Sequence, residues 1–252
     1  MIDLNVVGAK GAIAEEAQGK WGMVVDQDLC TGCQACVAAC SMENNVSFVG
    51  EEDAGYGRSM HWIRVERFWE GEYPNVKMTP YQPLMCQQCH NAPCEPVCPV
   101  YASVHSASED TNLQVYNRCV GTRYCANNCP YQAREFNWRD YADARIHAGL
   151  KTLQNQLNPD VTVRRRGVME KCTFCIQRIH RAEDKAQSEG REIVDGEFTT
   201  ACAQACPASA ITFGRIDDPT SKVSQAADTS RGSHLLEELG TIPRVTYLAG
   251  GA

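Results

Sequence analysis

Fifteen of the 252 residues are cysteines, and they fall into four groups whose spacing limits the chemistry they can do. The first reads Cys30-x2-Cys33-x2-Cys36-x3-Cys40, and the second Cys86-x2-Cys89-x4-Cys94-x3-Cys98 ahead of Pro99. The third holds Cys119, then Cys125-x3-Cys129 ahead of Pro130. The fourth combines Cys172-x2-Cys175 with Cys202-x3-Cys206 ahead of Pro207. A structural zinc takes four ligands from two separated pairs, often with a histidine among them. Three cysteines at x2 intervals exceed what one tetrahedral ion takes from a single loop. They suit three corners of an iron–sulfur cubane, whose potential the N–H groups of the loop help to set. The first run has the bacterial ferredoxin spacing, with Ser41 in place of the final proline. Iron–sulfur clusters are therefore the expected cofactor. A zinc-stabilised interaction module is the alternative of a different class.

In two-cluster ferredoxins the fourth cysteine of each run binds the other cluster, so groups pair and exchange one ligand. By that analogy, groups two and three nest between one and four. One 4Fe–4S cluster then takes Cys30, Cys33, Cys36 and Cys206, and a second takes Cys40, Cys172, Cys175 and Cys202. A third 4Fe–4S cluster takes Cys86, Cys89, Cys94 and Cys129, leaving Cys98, Cys119 and Cys125 for the fourth. That set is one thiol short, because Thr122 stands where the x2 spacing expects cysteine. A cubane corner without a thiolate is easily lost, so the fourth cluster is expected to be 3Fe–4S. The alternative is a four-iron cluster with hydroxide, water or the Thr122 oxygen on the odd iron. Every thiol is thereby used, and no Rieske-like ligand is expected from His61, His90 or His105.

The four-group layout resembles the iron–sulfur electron-transfer subunits of complex iron–sulfur molybdoenzymes, of the polysulfide, dimethyl sulfoxide and nitrate reductase types. It is more similar still to the iron–sulfur part of alternative complex III, a bacterial quinol-oxidising complex. The segments that carry the likeness are Met60–Arg64, Cys86–Val100, Tyr116–Tyr131 with its Gly-Thr-Arg-Tyr-Cys core, Gly167–Arg178, and Glu238–Thr241. Together they cover most of residues 20–248. The threonine at 122 favours alternative complex III, whose iron–sulfur part is in many cases fused behind a molybdoenzyme-like domain; here a free chain is expected. The resemblance implies a molybdoenzyme-like large subunit, a polytopic quinol-binding membrane subunit and c-type haem subunits as partners. It also implies a peripheral place on a membrane complex, on the periplasmic face. The runner-up reading keeps the relay and sends electrons to or from a molybdopterin oxidoreductase.

The elements that must hold these groups are expected to form an α+β fold. It would comprise two bacterial-ferredoxin-like units, one inserted in the other, with long loops and a β-hairpin insertion. The outer unit spans 21–75 and 165–216, and the inserted unit with a connector spans 76–164. An N-terminal arm (1–20) and a C-terminal tail (217–252) flank them. Residues 61–69 read as a strand entering a hairpin. Weak helical periodicity over about 140–163 suggests a connector, and Lys171–Ala186 an amphipathic helix. Each cysteine after an x3 step is placed at the start of a helix, where a following proline is tolerated. The tail is expected to wrap either a partner or the domain itself. The basic residues Arg164, Arg165, Arg166, Lys171, Arg178 and Arg181 read as a solvated face, or as a group near the second cluster or an acidic partner. Trp62, Trp69 and Trp138 read as core or interface.

Composition excludes several function classes. A net charge of −7 argues against nucleic-acid binding. No apolar run approaches the ~18 residues of a membrane helix, and Met1–Ala14 carries no expected export signal. There is no dinucleotide or phosphate loop and no nucleophile elbow. The expected role is a non-catalytic electron-transfer subunit of an oxidoreductase.

Overall fold

The computed structural model describes residues 20–107, 110–140 and 156–249. The proposed arm and most of the proposed connector lie outside these. The first strand, β1 (Trp21–Asp26), is an apolar run, Trp-Gly-Met-Val-Val, buried on both faces. That pattern belongs to a central strand. Helix α1 (Ala35–Glu43) carries Cys36 and Cys40, and a single helical turn, α2 (Glu51–Gly55), follows. Strands β2 (Ile63–Glu66) and β5 (Gln82–Met85) pair antiparallel. Between them β3 (Trp69–Glu70) and β4 (Lys77–Met78) extend the ladder into the expected hairpin. Its far end is exposed, including Phe68, Trp69, Tyr73, Val76 and Met78.

A second hairpin joins β6 (Ser103–Ser106) to β7 (Thr111–Gln114). The one-turn helix α3 (Tyr124–Asn127) holds Cys125, and β8 (Glu135–Phe136) pairs with β9 (Met169–Glu170). Helix α4 (Ile176–Ser188) is amphipathic and buries Ile179, Ala182 and Ala186. It begins later than the sequence pattern suggests, because the residues from Lys171 to Cys175 form a cysteine loop. After α5 (Ala201–Gln204) come β10 (Ile211–Arg215), α6 (Lys222–Ala227), β11 (Gly232–Ser233) and β12 (Val245–Leu248). The central sheet has the order β10-β1-β12-β11. β12 lies parallel to β1 and is wholly buried. Of the two fates expected for the tail, the structure therefore takes the second: it folds onto the domain itself.

The expectation that cysteines after an x3 step begin helices is corrected by the structure. Cys40 lies inside α1, whereas Cys129 and Cys206 follow the ends of α3 and α5. The proline behind each one shapes a turn, described below.

The core under the sheet is aromatic. The Trp21 and Phe213 rings stack 5.8 Å apart, and Phe174 and Phe198 meet Phe213 edge-on. A buried ion pair ties the two halves of the chain. Arg164 Nη2 donates to Glu170 Oε2 at 2.8 Å with both side chains out of solvent. Glu170 also accepts from Trp62 Nε1 and Asn137 Nδ2, while Arg164 reaches the carbonyls of Asn44, Asn45 and Thr162. A buried pair gives little net stability while intact, but breaking it strands a charge. Glu170→Gln keeps the shape and removes the anion, so it should cost about 3–5 kcal/mol in chemical denaturation. A loss under about 1 kcal/mol would show that the pair does not organise the junction.

Candidate metal centres

Four loops share one backbone device. In each, the residue just before the second ligand position takes positive φ: Gly32 at 70°, Gln88 at 48°, Gly121 at 74° and Phe174 at 56°. Such a residue turns the chain sharply within the loop. Two of the four have a second reason to be glycine. A Cβ on Gly32 would meet the Tyr81 ring at 2.5 Å, and one on Gly121 the Gly167 carbonyl oxygen at 2.4 Å.

The first and third loops correspond further. Gln34 (φ 61°) and Arg123 (φ 64°) sit left-handed at the N-termini of α1 and α3, each followed by a cysteine at the second helical position, Cys36 and Cys125. Thr122 therefore occupies the place of Cys33, and both positions are exposed.

A second device recurs after the x3 steps. Cys98, Cys129 and Cys206 each open the sequence Cys-Pro-x-x-Ala, at Ala102, Ala133 and Ala210. In each the fourth residue (Tyr101, Gln132, Ser209) is left-handed and donates its N–H back to the cysteine carbonyl. The alanine N–H then turns onto sulfur, at 3.1 Å for Cys98 and 3.3 Å for Cys206. Further donors reach Cys119 from Met169 N (3.3 Å), Cys172 from Phe174 N (3.5 Å) and Cys175 from Ala201 N (3.5 Å). Hydrogen bonds of this kind stabilise thiolate sulfur and are a control on cluster potential.

Helix packing explains which thiols meet. Cys36 and Cys40 are four residues apart on α1, so they share one helix face, whereas Cys202 lies on α5 and Cys206 just past its end. α1 packs on α5. Burial pushes the Cys36 thiol up to about 11, reinforced by the fields of Cys30, Cys206 and Cys33. Cys40 is pushed well above the usual thiol range by burial and then by Cys172, Cys175 and Cys202. Burial takes Cys89 up to about 12, with Cys86, Cys94 and Cys129 adding to it. These thiols, with Arg134, line one small cavity. In the last set burial raises Cys125 beside Cys119. Burial also raises Cys98, but the N–H groups of Ser103, Val100 and Ala102 and the Arg134 charge outweigh it, and the net shift is downward. Thiols so disposed ionise when a metal supplies the compensating charge. Neighbouring sulfurs, most of them buried or half-buried, with N–H donors aimed at several of them, fit the donor chemistry of iron–sulfur clusters. Among the described residues no three His, Cys, Asp or Glu converge on a single-ion site.

Two buried cations stand at the site; Arg134 is absent from the residues singled out in the sequence, and Lys171 belongs to the basic stretch read there as a solvated face or as lying near the second cluster. Arg134 donates to Cys94 Sγ at 3.0 Å. Its one sequence signal is its position directly after the Cys-Pro-x-x-Ala run ending at Ala133. Lys171 is fully buried and donates to the carbonyls of Cys172 and Asn112. The basic stretch is therefore not one solvated face: Arg164 and Lys171 are buried, Arg165 and Arg166 exposed. Arg178 pairs with Glu43 at 2.7 Å, and its charge reaches Cys175. Of the histidines considered, His105 Nε2 is bound to Asp110 at 3.0 Å, and the His90 ring lies edge-on to it. Trp62 is buried and Trp69 exposed. Trp138 meets Phe136 edge-on.

Comparison with known proteins gives the site a context. Residues 118–210 match the 4Fe-4S dicluster domain family and residues 21–42 the 4Fe-4S binding domain family. The iron–sulfur cluster-binding subunit of menaquinone reductase from Nitratidesulfovibrio vulgaris is 42% identical, over 93% of this chain and 91% of that protein. The iron–sulfur subunit of a putative dimethyl sulfoxide reductase from Halobacterium salinarum is 37% identical, over 91% and 79% respectively. One polypeptide of the polysulfide reductase of Wolinella succinogenes is 32% identical, over 90% and 92%.

Proposed function

We propose, from the premise that this chain belongs to the iron–sulfur subunits of molybdoenzyme-type complexes, that it relays single electrons between a quinone-reactive membrane subunit and a molybdoenzyme-like catalytic subunit. The relay uses three 4Fe–4S clusters and one 3Fe–4S cluster, whose chemistry is one-electron transfer. The relatives favour this reading over the alternative complex III type, and c-type haem partners go with that type alone. The periplasmic face of the membrane is part of the proposal, carried over from the resemblance in the sequence. Among the described residues no helix is long and apolar enough to cross a membrane, so the chain would be held there by its partners.

The observation that carries the proposal is the mutual field of the thiols. Three of the four sets proposed from spacing draw support from it: Cys36 lies in the fields of Cys30, Cys33 and Cys206, Cys40 in those of Cys172, Cys175 and Cys202, and Cys89 in those of Cys86, Cys94 and Cys129. These are the ligand sets proposed for the three 4Fe–4S clusters. Cys98, Cys119 and Cys125 are proposed to hold the 3Fe–4S cluster, with Thr122 at the empty corner. The nested arrangement of two ferredoxin-like units follows from these pairings.

The chain's own part is to hold, insulate and present the ends of the row. Cys172 feels both Cys202 and Cys86, so the outer and inner sets adjoin there. At one end Cys33 is exposed, with Leu29 half-exposed nearby in sequence. At the other, Val120, Tyr124 and Tyr101 are exposed around Cys119, Cys125 and Cys98. Exposed apolar groups beside a redox centre suit a docking face. The second end is assigned to the membrane subunit and the first to the large subunit.

Metal analysis and low-temperature EPR of the purified complex test the proposal. About 15 irons per chain are expected, with matching acid-labile sulfide. An oxidised 3Fe–4S signal should vanish early in a reductive titration, followed by several interacting 4Fe–4S signals. Zinc in place of iron, or no signal in either state on metal-replete protein, would overturn the electron-transfer role.

A further inference from the structure

Arg134 is buried, 5% exposed, yet among the described residues its guanidinium meets no carboxylate directly. It donates to Gln114 Oε1 at 2.8 Å, Ser103 Oγ at 2.6 Å, Asn112 Oδ1 at 2.9 Å and Cys94 Sγ at 3.0 Å. The nearest acidic group along this network is Glu95, one step removed behind the Asn112 amide. An arginine stays charged at any working pH, and a buried charge needs compensation. Among the described residues, the anion-forming group that touches it directly is a sulfur.

The β6–β7 hairpin explains the position. Ser103 stands opposite Gln114 in the register, and Asn112 lies two residues from Gln114, on the same face of β7. Three neutral oxygens on one rigid hairpin fix the orientation of the guanidinium. Gln88 Oε1 holds the Asn112 N–H in turn. The charge is felt by Cys94, Cys86 and Cys129 of one set and by Cys125 of the next. Cys98 feels it as well. Arg134 thus stands between the third and fourth sets, while the first set, around Cys36, lies in other fields.

We propose that Arg134 is a potential-setting residue that raises the reduction potentials of the two inner clusters together, relative to the cluster held by Cys30, Cys33, Cys36 and Cys206. This rests on the electron-relay reading above. Reduction adds negative charge to a cluster, and a fixed positive charge in a low-dielectric interior favours that state. One cation shared by two neighbours shifts both in the same direction, so the step between them is kept while both move relative to the outer cluster. The hairpin oxygens position the charge without neutralising it, which a carboxylate in their place would not achieve.

EPR-monitored redox titration of the intact complex tests this with three variants. Arg134→Gln removes the charge. Gln114→Glu keeps the arginine but sets an anion against it with almost no change of shape. Both should move the inner clusters to lower potential and leave the Cys30–Cys206 cluster where it was, which serves as the internal reference. Arg134→Lys retains charge and should titrate closer to wild type than Arg134→Gln. The proposal falls if Arg134→Gln and Gln114→Glu titrate as wild type, if all clusters shift together, or if Arg134→Lys shifts as far as Arg134→Gln. Should Arg134→Gln fail to load clusters, Gln114→Glu and Arg134→Lys decide between these results. Absence of cluster signals in wild type would defeat the relay reading instead, so the two failures are distinguishable.

Discussion

Thr122→Cys is expected to convert the proposed 3Fe–4S cluster into a 4Fe–4S cluster, abolishing the oxidised three-iron EPR signal and adding about one iron per chain. The expectation is geometric. Gly32 and Gly121 share positive φ, Gln34 and Arg123 share the left-handed start of a helix, and Cys36 and Cys125 share the second helical position. A thiol at 122 therefore arrives at the position that corresponds to Cys33, a proposed ligand of the first cluster. Both sites are exposed, so the added sulfur displaces no packed neighbour. A four-iron cluster has a far lower potential than a three-iron one in comparable surroundings, so quinone-linked turnover should fall along with the signal. The position lies at the end of the row assigned to the membrane subunit. An EPR spectrum identical to wild type, on protein with unchanged iron content, would mean that Thr122 is not the missing corner.

The second large effect is expected from Cys172→Ser. Cys172 is buried, and its neighbours include Cys202 and Cys175 of its own set and Cys86 of the next. It is where the outer and inner halves of the row adjoin. The backbone there is held independently of the sulfur, because Gln88 Nε2 (2.8 Å) and Lys171 Nζ (2.9 Å) both donate to the Cys172 carbonyl. Serine should therefore leave the loop in place while removing a thiolate ligand. Burial has already pushed the companion Cys202 thiol up to about 12, so without a full set it will not hold iron on its own. Loss of the second cluster breaks the row in the middle, and turnover between quinone and the catalytic subunit should drop by roughly 100-fold or more. The three-iron signal should remain reducible from the quinone side. That contrast separates a broken relay from a misfolded chain. Near-normal turnover with the second cluster absent would take that cluster out of the electron path.

Much of this was legible in the residues. Cysteine spacing is a local property: an x2 step closes a loop around a metal group, and the x3 step of Cys36 and Cys40 puts two sulfurs on one face of α1. The place of Thr122, the hairpin after His61 and the α4 helix could be read from the chain because each depends on nearby residues, whereas the partition into sets rests on the analogy with two-cluster ferredoxins. What only the folded chain decided involves partners far apart in sequence. Arg134 carries no signal of its own in the sequence, and the choice between a solvated face and a place near the second cluster stays open for Lys171, until β6, β7 and the Cys172 loop close around them. Arg164 finds Glu170, and the pair finds Asn44, Asn137 and Trp62, through packing that no periodicity announces. The sequence leaves open whether the tail wraps a partner or the domain, because its buried strand, β12, is only four residues long and receives its ladder partners from β1 and β11. Local sequence decided which atoms are suited to bind metal. Tertiary structure decided where the compensating charge sits, because burying a charge depends on what surrounds it on every side.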